Sequence, residues 1–310
     1  MSLTPDGTGA GAAPVPGARS RQARRYSLAL MLPLAFFAPA VLLVVSVNLY
    51  PALAGIVTSL FETRYAMRVG FAGLANYQEL IGDERAFQAL ETSLVFVSGS
   101  VGLATLIGLG LALLLARPWP LRNAFRTILL SPWVISQTVT GLLWGWLLNP
   151  LYGPISFVLD ELGVPGVDPL GTPATALPTI IAINVWHMFP FAMVLLLAAL
   201  QTIGTELAEA SRIDGASAWQ HFHYVSLPLL KRTIMMVAIT LTIYSFSQVT
   251  LIYTLTGGGP LGATEALAVL AFKAAFTDWR LGYAAAIGAV IFVMNLIFAV
   301  AYIRVLRSTE

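Results

Sequence analysis

Six long stretches of this chain contain no Asp, Glu, Lys or Arg, and they constrain its fold more than any other feature. They cover residues 26–61, 92–116, 127–159, 169–205, 233–264 and 281–303. Each exceeds the roughly 20 residues that a helix needs to cross about 30 Å of hydrocarbon. Lipid offers no partner for backbone N–H and C=O groups, so these stretches have to be helical.

Composition agrees with a membrane protein. The chain is 57% hydrophobic and 10% charged, with a mean hydropathy of +0.80, whereas about a quarter of the residues in soluble proteins are charged. We therefore expect an all-α, polytopic membrane protein with six transmembrane helices. The expected spans are 28–61, 92–116, 124–148, 177–203, 228–255 and 281–304, within a transmembrane domain over residues 26–310.

Positively charged residues lie mainly in alternate loops. If the amino terminus is cytoplasmic, the cytoplasmic segments hold Arg19, Arg21, Arg24, Arg25, Arg117, Arg122, Arg126, Arg212, Lys231, Arg232, Arg304 and Arg307. The outer segments then hold Arg64, Arg68, Arg85, Lys273 and Arg280. Because Lys and Arg near span ends are retained in the cytoplasm, we expect both termini there, in a multi-pass protein of a bacterial plasma (inner) membrane.

A polar segment precedes the first span. Residues 1–18 are rich in Gly, Pro, Ala and Thr and cannot bury enough apolar surface to fold. We expect residues 1–25 to form a disordered cytoplasmic tail. A signal peptide cleaved after Ala38-Pro39-Ala40 is an alternative, but the apolar stretch continues to Val47, and cleavage would leave a chain that begins inside the bilayer.

Residues for nucleotide or redox chemistry are missing. No Gly-x-x-x-x-Gly-Lys-Ser/Thr sequence occurs, so we expect this chain to bind no ATP alone. It has no cysteine, and we expect no metal site, no cofactor and no catalytic residue.

His187 is the one histidine within the six stretches that lack Asp, Glu, Lys and Arg. It fits either a hydrogen-bonded packing position or a position facing an aqueous cavity. An ion-coupled secondary carrier that works without an ATPase is an alternative class, and a membrane enzyme is another. Nearly charge-free spans disfavour both, because proton relays and catalysis need titratable groups in the bilayer.

Small residues and prolines mark particular spans. Ala104, Gly108 and Ala112 recur at intervals of four, as do Ala284 and Gly288. Such rows let helices approach closely, either within one bundle or between subunits. Kinks are expected at the prolines inside spans, which are Pro33, Pro39, Pro51, Pro132 and Pro190.

The segment 204–228, cytoplasmic by its charges, has the pattern of two short helices. Thr205 fits a helix cap and Glu206 favours the first turn. Gly215 permits a turn, residues 216–222 can form a second helix, and Pro228 suits the first turn of the next span. We expect a helix-turn-helix projection outside the membrane.

The same segment carries a specific pattern. Glu209-Ala210-Ser211, followed by Gly215 and Val225-x-Leu227-Pro228, resembles the EAA loop of ABC importer permeases. Ser211 departs from the pattern, which has a second alanine there. The resemblance implies the type I ABC importer permease fold. It also implies that this segment couples to an ATP-binding subunit, through Glu206, Glu209, Ala210, Ser211, Asp214, Gly215 and Pro228. A charged amphipathic loop on the membrane surface is the alternative.

Other motifs resemble the carbohydrate-uptake branch of these permeases, and the maltose-permease first-subunit type in particular. They are residues 71–77, Ser131-Pro132-Trp133, Trp144-x-Trp146-x-x-Asn149-Pro150, Pro190-Phe191 and residues 255–260 with Thr264. The resemblance implies a heterodimer with a second permease subunit, two ATP-binding subunits that hold ATP and Mg, and an extracytoplasmic solute-binding protein. Membrane lipid is an expected partner and nucleic acid is not.

Two further sets of residues are candidates for contact with substrate or partner. Polar residues of the spans could line a pathway or bond between helices: Gln137, Asn184, Tyr244, Gln248 and Asn295. The run Gly257-Gly258-Gly259-Pro260 at the outer end of the fifth span permits a tight backbone. That run fits either contact with a docking partner or substrate, or a plain turn.

Overall fold

The computed structural model describes residues 36–65, 67–163, 166 and 168–307. The expected tail over residues 1–25, the first residues of the expected first span and Pro33 lie outside the described residues. The chain divides into two compact units, Met1–Ala54 and Gly55–Glu310. In the first unit, the described residues 36–54 are helical, and the side chains of residues 36–53 are exposed.

Helices make up most of the described chain. They are α1 (Phe36–Thr58), α2 (Ala75–Gly82), α3 (Glu84–Ala116), α4 (Arg122–Val134), α5 (Gln137–Leu147), α6 (Pro154–Glu161), α7 (Pro173–Thr202), α8 (Thr205–Ile213), α9 (Ala218–His221), α10 (Leu227–Phe246), α11 (Thr250–Thr256), α12 (Leu267–Phe276) and α13 (Leu281–Arg307). Val45–Leu49 within α1 is a π-helical segment, and so is Phe222–Ser226, which joins α9 to α10. The strands β1 (Phe61–Arg64) and β2 (Met67–Phe71) form an antiparallel hairpin.

The described helices supply six membrane-crossing segments. Five are long and apolar enough to cross alone: α1, α3, α7, the continuous helix Ala218–Phe246, and α13. The sixth is the pair α4 and α5, which meet at 97°. The all-α fold with six spans that the uncharged stretches predict is therefore confirmed.

The sixth segment is broken near a proline. Pro132 lies in the last turn of α4, and Ser136 caps the restarted helix α5 by accepting a hydrogen bond from the Val139 N–H at 3.3 Å. Proline removes one helix donor, and the Ser136 cap replaces a partner for one exposed amide. The predicted kink at Pro132 is thus a full break.

The fifth span also differs from one continuous helix. Helix α10 ends at Phe246, and α11 begins at Thr250. Beyond α11 the chain turns back, and the short apolar helix α12 packs against α13 and α3. The first backbone N–H of α12 is paired with a residue far away in the sequence. The buried Ser93 hydroxyl of α3 accepts a hydrogen bond from the Leu267 N–H at 2.8 Å.

Helices α3 and α7 pack closely against each other. A Cβ atom added to Gly108 would lie 2.6 Å from the Ala192 Cβ and 2.9 Å from the Met193 backbone nitrogen. Ala104 and Ala112, on the same row, are completely buried. The predicted small-residue row is therefore a packing surface within the chain. Gly288 differs, since a Cβ there would meet no described atom within 4 Å.

The hairpin was not predicted from the sequence. A Cβ on Gly282 would lie 2.2 Å from the Phe61 carbonyl oxygen, so glycine allows α13 to begin against β1. The Gly282 N–H donates to the Thr63 hydroxyl at 2.8 Å, and the Asn76 amide donates to the Ser59 and Phe61 carbonyls at 2.8 and 3.1 Å. These contacts with α2 and α13 hold a sheet too small to be stable alone.

Candidate functional site

The segment 204–228 forms the helix-turn-helix projection that its pattern predicts. Helix α8 ends at Ile213, Gly215 takes a left-handed φ of 77°, and α9 begins at Ala218. Ser217 and Gln220 form a reciprocal capping box at the start of α9. From Ala218 the helix continues into the membrane span up to Phe246, with Pro228 in the first turn of α10.

The predicted coupling residues share one projection but not one face. Glu206, Glu209 and Ala210 are exposed on α8, and Asp214 and Gly215 are exposed in the turn. Ser211 is partly buried, and its hydroxyl lies 2.8 Å from the His221 Nδ1 of α9. The exposed residues are available to a partner, while Ser211 faces the second helix of the same projection.

Large apolar side chains accompany these residues at the surface. Ile213 is 86% exposed, Trp219 70% and Tyr224 74%. Exposed apolar side chains of this size, on a segment that also exposes Glu206, Glu209 and Asp214, fit a contact surface. The projection can therefore bind another macromolecule or the membrane interface.

Polar residues of the spans gather where α4 and α10 are interrupted. The Gln137 amide, at the start of α5, donates to the Tyr244 hydroxyl of α10 at 2.5 Å. The Gln248 amide, between α10 and α11, donates a long hydrogen bond to the Asn184 Oδ1 of α7 at 3.4 Å. The Thr140 hydroxyl lies 3.3 Å from the His187 Nδ1. Helices α5 and α11, which follow the two breaks, are in contact, since a Cβ on Gly141 would lie 2.8 Å from the Thr254 Cβ.

Burial separates these candidates into two groups. Asn184, Gln248 and His187 are buried within the chain, and His187 takes the hydrogen-bonded packing position. Tyr244 is 43% exposed, and Gln137 is partly exposed. Asn295 of α13 is partly exposed, although its Oδ1 is buried without a hydrogen bond among the described residues. The Gln137–Tyr244 pair therefore presents the polar surface most accessible to a solute.

The glycine turn, residues Gly257–Gly262, follows α11 with a tightly defined backbone. Gly257 and Gly258 have φ angles of 59° and 90°, and the Gly259–Pro260 bond is cis. The Thr264 hydroxyl lies 2.7 Å from the Thr256 hydroxyl and donates to the Gly259 carbonyl at 2.7 Å. Leu261 at the tip is 95% exposed, with a φ of 51°.

Glu265, beside the glycine turn, is a buried acid that sequence reasoning missed. Its carboxylate accepts two hydrogen bonds from the Arg85 guanidinium at 2.6 and 2.9 Å and one from the Lys273 ammonium at 2.7 Å. Burial raises the pKa of Glu265, but the bonds from Arg85 and Lys273 and their positive charges lower it further, so the net pKa lies below the usual value. A cavity of about 450 Å³ lies between these side chains and the turn. A lone acid amid the apolar residues 250–272 was the available signal.

These features define a class: a polytopic helical membrane protein with interrupted spans and a projecting helix-turn-helix that can dock another macromolecule. Comparison with known families gives the particular family. The chain belongs to the binding-protein-dependent transport system inner membrane components, whose family model matches residues 104–309. That range contains the whole 204–228 segment, both interrupted spans and Glu265.

Individual relatives extend the similarity over most of the chain. The trehalose/maltose transport system permease protein MalF of Thermococcus litoralis is 37% identical over 76% of this chain and 80% of its own. The sulfoquinovosyl glycerol transport system permease protein SmoG of Agrobacterium fabrum is 30% identical over 90% and 92% of the two chains. The sn-glycerol-3-phosphate transport system permease protein UgpA of the same organism is 32% identical over 85% and 90%.

Solved structures share the fold. A bacterial ABC transporter involved in the import of the acidic polysaccharide alginate matches with a TM-score of 0.77 and 22% identity, over 92% of this chain and 99% of its own. A second structure, of an alginate ABC transporter in complex with alginate pentasaccharide-bound periplasmic protein, gives a TM-score of 0.76 and 21% identity. At this identity the likeness is one of fold.

Proposed function

We propose that this chain is a permease subunit of an ATP-driven, binding-protein-dependent importer for a sugar or a related polyol or glycoside. It forms half of the translocation pathway. The observation that carries the proposal is the 204–228 segment, where two short helices bear the EAA-like residues and continue directly into a membrane span. Family membership supports it over an ion-coupled carrier.

The substrate class rests on the relatives. Their names specify trehalose and maltose, sulfoquinovosyl glycerol and sn-glycerol-3-phosphate, which are all rich in hydroxyl groups. Neutral amide and phenol groups such as those of Gln137 and Tyr244 suit hydroxylated solutes, because each can both donate and accept a hydrogen bond. In this proposal they line the pathway together with the partly exposed Asn295, whereas the buried Asn184 and Gln248 bond to each other.

The assembly comprises several chains. Six spans form half of a pore, which a second permease subunit completes as a heterodimer. Two ATP-binding subunits hold the ATP and Mg, and one of them docks on the 204–228 segment, so this chain hydrolyses nothing itself and holds no cofactor. Both termini lie in the cytoplasm, and the glycine turn lies on the outer side, where a solute-binding protein delivers substrate.

Replacing Gly215 tests the docking role. Gly215→Leu introduces a side chain on the exposed turn and forces leucine into a left-handed φ, which costs about 1–2 kcal/mol. We expect ATP-binding subunits to co-purify with this variant at least about tenfold less, because a bulky group at a docking surface prevents close approach. The amount of ATP-binding subunit per permease in purified membranes measures the effect.

Gly163→Leu is the matched control. Gly163 has a φ of 78°, and a Cβ there likewise meets no described atom within 4 Å, so the backbone strain is the same at a different place. This variant should retain its partners. Equal retention, or equal loss, in the two variants would refute docking on the 204–228 segment.

A further inference from the structure

The second helix of the projection is the beginning of a membrane span. Residues Ala218–Phe246 form one continuous helix of 29 residues, including the π-helical segment. At about 1.5 Å per residue it is roughly 44 Å long. A displacement applied near His221 therefore acts directly on α10 and on Tyr244 near its far end.

Helix α8 by contrast stands apart from this continuous helix. It has nine residues, and a helix of that length is marginal in water unless tertiary contacts hold it. The backbone connection from α8 to α9 passes through the turn 214–217, which contains Gly215 and is exposed except at Ala216. Such a turn transmits displacement poorly, because its backbone dihedrals can absorb it.

The Ser211–His221 hydrogen bond bridges this turn. Ser211 lies in the last turn of α8, His221 lies in α9, and their Oγ and Nδ1 atoms are 2.8 Å apart. Both residues are partly buried, whereas Glu206, Glu209 and Ala210 of α8 are exposed. The bond thus lies on the inner side of α8 and leaves the exposed surface free for a docked subunit.

We infer that Ser211 and His221 are positioning residues that transmit movement of α8 to the fifth span. The inference rests on the proposed function, because it assumes that an ATP-binding subunit docks on α8. Ser211, the one departure from the EAA-like pattern, then has a role in this chain that alanine cannot supply. The hydroxyl holds α8 at a fixed angle to the continuous helix, so docking and span movement stay coupled.

A cysteine-free chain allows a direct measurement. The sequence contains no cysteine, so Leu261→Cys places a single thiol of this subunit on the 95% exposed tip of the glycine turn. The full complex is reconstituted in nanodiscs, and a fluorescent label on this thiol reports the change in fluorescence when MgATP and orthovanadate are added. This fluorescence change is divided by the amount of vanadate-trapped ADP per complex, which corrects for differences in assembly.

We expect the normalised fluorescence change to be smaller in every variant that lacks the Ser211–His221 hydrogen bond. Ser211→Ala and His221→Phe should each reduce the normalised change by about two- to tenfold, the range that one neutral hydrogen bond supports. Ser211→Thr, which keeps a hydroxyl, should restore it. The double variant Ser211→Ala/His221→Phe should be no worse than either single variant, since both remove the same interaction.

Other results would overturn the inference. A normal change in Ser211→Ala, or additive losses in the double variant, would show that the bond transmits nothing. If the parent complex itself shows no MgATP-dependent change or binds no ATP-binding subunit, the proposed function fails instead. The two failures are therefore distinguishable.

Discussion

Glu265 shows how a single residue can fix the structure around it. Its carboxylate joins Arg85 at the start of α3 to Lys273 in the last turn of α12 and supports the glycine turn above it. Glu265→Ala should destabilise the chain by about 2 kcal/mol. That is less than the 3–5 kcal/mol for a fully buried pair, because Arg85 is half-exposed. Thermal unfolding in detergent micelles measures the change.

Glu62→Ala provides the comparison. Glu62 and Arg64 are both exposed and lie 3.6 Å apart, and pairs of this kind contribute at most about 1 kcal/mol.

The stabilisation by Glu265 should also depend on pH. Because folding lowers its pKa, the contribution is present above the unfolded pKa, near pH 4, and is lost as pH falls through the folded pKa. The difference between wild type and Glu265→Ala should therefore shrink below about pH 4. A difference that grows on acidification would contradict the assignment.

The sequence located some of these residues and missed others for a physical reason. Gly257 to Pro260 could be predicted as a turn because glycine and proline act on their own backbone. The role of Glu265 depends on Arg85, which lies 180 positions away in the sequence. Likewise, the polarity of Asn184 and Gln248 made both candidates for a pathway. Only the packing shows that they bond to each other and are buried.

At the scale of elements, the contact between α3 and α7 depends on one missing side chain. Gly108→Leu should destabilise the bundle by about 3 kcal/mol or more, because even a Cβ would meet the Ala192 Cβ at 2.6 Å, and that atom belongs to a rigid helix. Gly110→Leu, two residues along the same helix, has open space and should change stability little. The melting temperature of each variant in the same detergent tests this, and similar values would contradict the packing.

The positions of the helices could be predicted because the length of an uncharged stretch can be read from that stretch alone. The interruptions of the helices could not be predicted in this way. Pro132 indicated a kink, yet the 97° break also needs the Ser136 cap and α5 packed on α11. The hairpin shows the same dependence. Phe61–Arg64 and Met67–Phe71 form strands because Gly282 and Asn76 lie against the first of them, and these contacts come from distant parts of the sequence.

On the scale of the whole molecule, the 204–228 segment and the glycine turn should face opposite sides of the membrane. The continuous helix Ala218–Phe246, which is about 44 Å long, begins in that segment and is long enough to cross the bilayer, and the glycine turn follows its far end. Asp214→Cys and Leu261→Cys each introduce a single thiol in an exposed turn of a cysteine-free chain. In intact cells, a membrane-impermeant maleimide should label only the thiol at position 261, and permeabilised cells should show both. Labelling of the thiol at position 214 from outside would reverse the orientation and remove the docking role.

The uncharged interior has an electrical consequence. The stretches 127–159 and 233–264, which contain both breaks and the helices α5 and α11 beyond them, carry no Asp, Glu, Lys or Arg. A transmembrane potential does work only on charge that moves through it, about 2.3 kcal/mol per elementary charge per 100 mV. Voltage therefore does no work on charged side chains of α5 and α11 if these helices shift across the bilayer.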